Sequence, residues 1–321
     1  MGFSLLYFTG EGRRMKMLLG VFDIGGTSIK YGVVNPEGQL LFHDSLATEA
    51  HLGGEAVIEK VINVSKDLMD RWEISGISIS SAGQVNSETG MIVYATDNIP
   101  RYTGLNIVDL VKEETHLPVV AENDVNCTAL GEYWLGAAKG MDDFVCVTIG
   151  TGIGGALFLD GKLYTGKGYC AGEIGHITLY PEGKECTCGR TGCFESYASS
   201  KALTELITQE TGEIVPLIQY FEEVKNGDTE SMALFDRWLN DLTTGLSSIV
   251  HLLNPELIVL GGGISAQGDF LLDAIKHALL PKLMPYHART LKIKLAENGN
   301  GANLLGAAQN FYMHSTHGGE S

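Results

Sequence analysis

The feature that most constrains the fold is a strand and turn pattern that occurs twice. In LLGVFDIGGTSIKYGVVNPEGQLLFHD (Leu18 to Asp44), two apolar runs flank Gly25-Gly26-Thr27 and a third follows the turn Asn35-Pro36-Glu37-Gly38. FVCVTIGTGIGGALFLDGKLYTG (Phe144 to Gly166) repeats it as strand, glycine-rich turn, strand, Asp-Gly turn, strand. Each stretch reads as a three-stranded meander, and self-similarity at this separation predicts a duplicated lobe. Between the meanders, Val57, Ile58, Val61, Ile62, Ser65, Leu68, Met69 and Trp72 follow a helical period, and ISGISIS then alternates as a strand. In the second half, Met232, Phe235, Leu239, Leu242, Leu246, Ile249 and Leu253 trace a long helix closed by Asn254-Pro255, with a buried strand in ELIVLGGG after it. The expectation is an α/β protein of two lobes with a cleft between them. A chain of 321 residues, 44% of them apolar, can bury two cores of that kind. No Ser/Gly linker or low-complexity tract marks off a further module.

A formal net charge of -17, with no Lys/Arg run to reverse it locally, repels phosphodiester backbones and argues against a nucleic-acid partner. No apolar stretch approaches the roughly 20 residues of a membrane span. The opening GFSLLYFTGEGRR carries its positive charges after its apolar residues, the reverse of a signal peptide, so the expected location is the cytoplasm. Residues 1-17 read as a leader without helical or repeat logic. Gly-Glu-Gly-Arg-Arg before Met15 can be encoded by purine-rich codons of the kind a ribosome-binding site uses, so a native start at Met15 or Met17 is expected.

GHITLYPEGKECTCGRTGC (175 to 193) concentrates His176, Cys186, Cys188 and Cys193 in a chain with six cysteines. In a reducing compartment a structural disulfide is disfavoured, and the C-x-C spacing is not the C-x-x-C of a thioredoxin-type pair. Cys3His is a closed tetrahedral zinc set; the alternative is a cysteine-rich loop near an unrelated histidine. Cys127, Cys146 and Cys170 sit among apolar or small residues and read as packing groups.

Gly25-Gly26-Thr27 and Gly150-Thr151-Gly152-Ile153-Gly154-Gly155 are turns whose bare N-H groups and hydroxyls can reach a phosphate. A third such turn is Gly261-Gly262-Gly263. Gly150, Gly152 and Gly155 formally match G-x-G-x-x-G, but ALFLDGKLY after them is a strand and turn instead of the helix a Rossmann site requires, and no P-loop occurs. Plain hairpin geometry is the competing account of these glycines. Asp23, at the end of the first strand, can hold Mg2+ through water or simply terminate a buried strand, and Lys30 reads as a solvated strand residue. In PVVAENDVNCTALGEYW, a strand runs into Glu122-Asn123-Asp124 and then a helix, so Asp124 is either a helix N-cap or the carboxylate that accepts a hydroxyl proton in phosphoryl transfer.

DIGGTSIK, SSAGQV, ENDVN, TIGTGIGG, AGEIGH and CTCGRTGCFES, in that order, resemble the ROK family (repressors, open reading frames and sugar kinases) of the actin-like, hexokinase-like superfamily, from about Leu18 to about Ala308. The resemblance implies two RNase H-like lobes: residues 18-122 with about 303-321, and 123-302 with a zinc-binding insertion. It implies ATP and a hexose in the cleft, with Asp124 as base toward the sugar 6-hydroxyl. Asn123, Glu173, His176 and Glu195 match the family's sugar-hydroxyl ligands and Gly83 a backbone contact to the sugar. Gly25, Gly26, Thr27, Thr151 and Gly152 match the phosphate side, and Gly262 and Gly263 the adenosine side. The Cys3His set matches a structural zinc, and a ring ligating through one nitrogen presents the other to a sugar hydroxyl. Glucose is the first expectation, with N-acetylmannosamine or a β-glucoside as alternatives, and a homodimer is implied. The family also includes repressors, but some seventeen residues before the first strand are too few for a helix-turn-helix, so a sugar-binding regulator without kinase activity is the alternative of another class. Two departures stand out. Asn98-Ile99-Pro100-Arg101-Tyr102 replaces the family's Asn-Leu-Pro-Gly-Trp near the sugar, and Cys170 replaces a small residue.

Overall fold

The computed structural model describes residues 17–317; the expectation for a leader over residues 1–16, and residues 318–321, lie outside the described residues. The first meander is β1 (Leu18–Ile24), β2 (Ser28–Val34) and β3 (Leu40–Ala47), antiparallel throughout. Helix α1 (Gly54–Arg71) carries the chain back to β4 (Ile74–Ser81), which lies parallel to β1. A hairpin of β5 (Gln84–Asn86) and β6 (Met91–Tyr94), then α2 (Ile107–Thr115), lead to β7 (Val119–Asn123), parallel to β4. The sheet order is β3-β2-β1-β4-β7. After α3 (Asp124–Leu135), the second lobe repeats the plan. Its meander is β8 (Phe144–Ile149), β9 (Ile153–Leu159) and β10 (Lys162–Tyr164). Helices α4 (Glu195–Ala198), α5 (Ser200–Thr211), α6 (Leu217–Lys225) and α7 (Thr229–Leu253) precede β11 (Leu257–Gly261). Then α8 (Asp269–Leu279) and α9 (Pro285–Thr290) lead to β12 (Lys292–Leu295), and the sheet order is β10-β9-β8-β11-β12. The duplicated α/β lobe expected from the two meanders is what forms.

Each sheet is covered on both faces, which is why the central strands β1, β4, β8 and β11 are buried along almost their whole length, the serines of β4 included. On the first sheet α1 buries Val57, Ile58, Val61 and Leu68 against Ile77 and Ile79. Met69 of the same helix is 37% exposed and Trp72 is its C-cap, packed against the same core, so the helical period read through residue 72 overruns the helix by one residue. On the second sheet α7 and α8 bury Trp238, Leu242, Leu246 and Ile275 against Val145, Val147 and Ile258. Helix α7 stops where Asn254 turns left-handed and Pro255 follows.

The remaining two faces look toward each other. Helix α3 packs Ala129 and Leu130 on Phe144, Cys146 and Val259 of the second sheet, while α10 (Ala302–His317) packs Leu304, Ala307 and Phe311 on Leu19 and Val21 of the first. The two helices cross in backbone contact. A Cβ on Gly306 would lie 1.6 Å from the Cys127 carbonyl oxygen, and one on Gly131 would lie 2.4 Å from that of Ala302. Only glycine permits that approach. Beside the crossing, the fully buried Glu132 carboxylate accepts from the backbone N-H groups of Ala137, Glu297 and Asn298, which ties the end of α3 to the segment leading into α10.

Candidate active site at the junction of the lobes

The junction is built around the end of β7 and the first turn of α3. Asn123 is the N-cap: its Oδ1 accepts from the N-H groups of Val125 and Asn126. The capping role open to Asp124 therefore falls to its neighbour, and Asp124 is the first helical residue. Its Oδ1 accepts from Asn123 Nδ2 and from Val125 N-H, both at 2.9 Å. Although the residue keeps some accessible surface, dense protein around the carboxyl, followed by the charge of Asp23, pushes its pKa up to about 7. Two residues upstream in β7, burial raises the Glu122 carboxyl to about 6. Glu122 accepts from Asn126 Nδ2 and Asn123 N-H. Asn126 is 4% exposed, and its Oδ1 finds no partner within the protein.

Asp23 ends up buried where the lobes meet. Its Oδ1 accepts from Ser80 Oγ at 3.0 Å and Asn303 Nδ2 at 2.9 Å, and Lys30 Nζ stands 3.7 Å from Oδ2. Lys30, read as a solvated strand residue, is thus a partner of this carboxylate. Asn303 in turn accepts from Thr128 of α3, so the contacts pass from β1 through α10 to α3.

A cavity opens beside Asn123, lined by Gln84, Val125, Asn126, Gly154, Gly155, Tyr169, Cys170, Ala171, Gly172 and Glu173. Of the residues matched to sugar ligands, Asn123 and Glu173 line it directly. Gly83 joins through its carbonyl, which accepts from Asn123 Nδ2 at 2.9 Å. Glu173 Oε2 lies 3.8 Å from His176 Nε2, and His176 Nδ1 lies 3.8 Å from Glu195 Oε1. Glu195 is not among the residues lining the cavity: its Oε2 accepts from Ile153 N-H and its Oε1 from the Cys186 thiol. Cys170 also departs from the packing role read for it, being half-buried at the cavity while Cys127 and Cys146 are fully buried.

One nitrogen of the His176 ring faces three thiols. The ligating atoms of His176, Cys186, Cys188 and Cys193 all lie within 4.8 Å of one another. Cys186 Sγ is 3.6 Å from Nδ1, and the sulfurs of Cys188 and Cys193 are 3.6 Å apart, far beyond a disulfide bond. Metal–sulfur bonds of about 2.3 Å in a tetrahedron place the sulfurs about 3.8 Å apart, which these positions fit.

The glycine turns gather on the other side of the junction. Gly25, Gly26 and Thr27 join β1 to β2, with Gly26 and Thr27 exposed; Thr48 holds the turn through Oγ1 to the Gly25 carbonyl. Thr151 is exposed and Gly152 partly so in the β8–β9 turn, where Ser200 donates to the Gly150 carbonyl. Gly262, at φ 83, backs onto that turn so tightly that a Cβ would lie 2.5 Å from the Ile149 carbonyl, and Gly263 beside it opens on free space. The second and third turns thus form one surface, with the first next to Asp23.

The segment that departs from the family pattern lies beneath the site. Tyr102 is buried, its hydroxyl 2.8 Å from Ser81 Oγ at the end of β4, and Arg101 adopts the left-handed conformation at φ 58 that glycine takes freely. Gln84, Glu122, Asn126 and Asn303 are functional-site residues that the sequence reading did not single out. The Glu122/Asn126 pair had a signal, carboxylate and amide four apart across a strand-to-helix turn; Asn303, 280 positions from Asp23, had none.

Two five-stranded lobes of equal topology, with phosphate-type turns and a carboxylate at their junction, define the actin-like ATPase fold. The chain belongs to the ROK family, whose pattern it matches over residues 19–312. It is 41% identical to an uncharacterised protein of Clostridium perfringens, over 92% of this chain and 97% of that one. It is 33% identical to a β-glucoside kinase of Listeria monocytogenes, with 92% and 97% covered. The solved structure of a ROK family glucokinase from Streptomyces griseus, in complex with glucose and AMPPNP, superposes with a TM-score of 0.77 at 32% identity, covering 91% of this chain and 98% of that one.

Proposed function

We propose that this sugar phosphotransferase moves the γ-phosphoryl group of ATP to a hexose hydroxyl, the 6-hydroxyl of glucose first, with Asp124 accepting the hydroxyl proton. The observation that carries the reading is the Asp124 carboxyl held at about 7 between Asn123 and Asp23, because a base is most effective when its pKa lies near the working pH. Asn123, Glu173, His176, Glu195 and the Gly83 backbone are assigned to the sugar. Gly25, Gly26, Thr27, Thr151 and Gly152 are assigned to the phosphates, and Gly262 and Gly263 to the adenosine. The S. griseus glucokinase with glucose and AMPPNP supports this division, and the Listeria β-glucoside kinase keeps a β-glucoside open as the acceptor. N-acetylmannosamine is the further alternative.

Asp23, acting through water, is assigned to Mg2+, which neutralises charge on the transferring phosphate. Zinc is assigned to His176, Cys186, Cys188 and Cys193, where it fixes the imidazole that faces Glu173; the closed ligand set leaves it no catalytic role. Free thiols and the absence, among the described residues, of a helix long and apolar enough to cross a membrane are consistent with a cytoplasmic enzyme. A homodimer is part of the same reading: Leu252, Met284 and Tyr286, 82%, 62% and 62% exposed, offer apolar surface on the second lobe. The decisive experiment is ATP-to-ADP turnover with Mg2+ against glucose, N-acetylmannosamine, N-acetylglucosamine, mannose, fructose and cellobiose. Silence with every sugar, alongside calorimetric binding of one, would replace the kinase with a sugar-binding regulator.

A further inference from the structure

Gln84 reaches across the cleft with both ends of its carboxamide. It belongs to the first lobe, directly after Gly83, as the first residue of β5. Its Nε2 donates to Glu173 Oε1 at 2.8 Å, and its Oε1 lies 3.0 Å from the Cys170 sulfur, whose single S–H is shared between that oxygen and the Gly168 carbonyl at 2.9 Å. Both partners sit in the second lobe, between β10 and the metal-ligating histidine. The orientation of the amide is fixed by its partners, since an ionised carboxylate only accepts and a thiol donates. Burial and the charge of Glu173 raise the Cys170 thiol, which keeps it a donor. A flipped amide would set oxygen against oxygen at Glu173.

Glu173 is otherwise held on one side alone, by His176 Nε2 at 3.8 Å from its other oxygen. Its backbone is fixed, since a Cβ on Gly172 would lie 2.5 Å from the Gly155 carbonyl, but its side chain is 45% exposed. A carboxylate so placed has several rotamers, and a charge-assisted bond from the opposite lobe selects one of them. We propose that Gln84 is a positioning residue for the sugar: it straps the first lobe to Glu173 and sets that carboxylate for the hydroxyl it binds, with the Cys170 thiol holding the far end of the strap. The role of Glu173 in this proposal rests on the assignment of the cavity to a sugar. The strap itself does not, because it is closed without any ligand. Its consequence is that sugar affinity depends on a residue of the lobe opposite the metal cluster.

The test has two arms. The first is independent of any sugar: Gln84→Met, equal in length but without hydrogen bonds, is treated with iodoacetamide, and alkylation of Cys170 is followed by peptide mass mapping. Loss of the strap should speed alkylation several-fold; an unchanged rate would overturn the strap. The second arm measures steady-state kinetics and calorimetric affinity for whichever sugar the wild-type protein turns over. Gln84→Met should raise the sugar KM and Kd together by about tenfold, the equivalent of about 1.4 kcal/mol, with a much smaller change in kcat and in the KM for ATP. Gln84→Asn, too short to span both partners, should behave like Gln84→Met, whereas a merely structural lesion would lower thermal stability and kcat together. Faster alkylation with sugar KM and Kd within twofold of wild type would refute the positioning role while leaving the kinase assignment intact. A wild-type protein silent with every sugar would instead remove the kinase assignment and with it the role given to Glu173, and the alkylation arm would still decide whether the strap exists.

Discussion

The two sides of the cleft are built from different materials. On the side proposed for the phosphates the contacts offered are backbone and hydroxyl groups of Thr27, Thr151 and the glycine turns, facing solvent, with the turns braced from behind by Thr48 and Ser200. On the sugar side the groups are long side chains whose contacts run in series, from Gln84 to Glu173, His176, the cysteines and Glu195. A phosphate needs only converging N-H donors, which any properly bent backbone supplies. A sugar ring presents hydroxyls in fixed directions, so the carboxylates and imidazole that read them must be held in single rotamers by further contacts. The difference teaches where damage spreads: along the series on one side, reaching the other where Ile153 N-H donates to Glu195.

Asp124 stands where the two sides meet, and its removal gives the largest expected effect. Asp124→Asn should lower kcat by roughly three orders of magnitude, the scale of a lost general base, while calorimetric sugar affinity stays near the wild-type value. Near-normal turnover would mean that another group takes the proton. In the wild type kcat/KM should fall about tenfold per unit below pH 7 as the carboxyl held at about 7 takes up its proton. The same group sets a stability slope. Its folded pKa lies above the unfolded value of 3.8, so the folded chain binds the proton more tightly and loses stability as pH rises between about 4 and 7. Asp124→Asn should therefore melt higher than wild type at pH 8, with a difference of a few kcal/mol at most that closes toward pH 4. Equal melting curves at both pH values would show that the carboxyl is not destabilised by its surroundings.

Next in size is a break in the series itself. Cys188→Ser should release the metal, and because the His176 ring is then free to turn away from Glu173, sugar affinity should drop about 10- to 100-fold. ATP affinity should change less, since the cluster meets the glycine turns through Glu195, which accepts from Ile153 N-H. Metal content by elemental analysis and the two affinities by calorimetry check this; an unchanged zinc content would refute the ligand set, and parallel loss of both substrates would erase the distinction between the two sides. The phosphate side gives the milder counterpart. Thr151→Ala or Thr27→Ala should raise the KM for ATP only two- to tenfold, about the worth of one hydrogen bond, and leave the sugar KM alone.

The same contrast explains how much was legible in the sequence. The meanders are local patterns whose pairing is set by short turns, so the duplication follows from residues 18 to 166, and the α/β class of the second lobe from the helix and strand read between Met232 and Gly263. The glycine turns and the Cys3His cluster are likewise contiguous runs. What escaped is what forms only when distant segments meet. Gln84 and Glu173 sit 89 positions apart, and Asp23 and Asn303 sit 280 apart. Glu132 looks like a solvated helix residue in LGEYW, yet it is fully buried because three backbone N-H groups from elsewhere converge on it. Asp124 was ambiguous for a different reason. Cap and base share one sequence position, and only the observed bonds of Asn123 assign the cap to the neighbour.

The smallest effect belongs to the departure at Arg101, and it tests whether that segment is part of the sugar side at all. The residue stands at φ 58, where a side chain costs about 1 kcal/mol relative to glycine. Its one guanidinium bond, Nη2 to the Leu52 carbonyl at 3.2 Å, is exposed and offsets part of that cost. Meanwhile Tyr102 keeps the segment anchored through Ser81 whichever residue precedes it. Arg101→Gly should therefore leave sugar KM unchanged and shift Tm upward by about a degree or two. A fall in sugar affinity instead would mean that the guanidinium swings from Leu52 into the cleft when the sugar binds, extending the interlocked side by one residue and giving the altered motif a direct part in choosing the sugar.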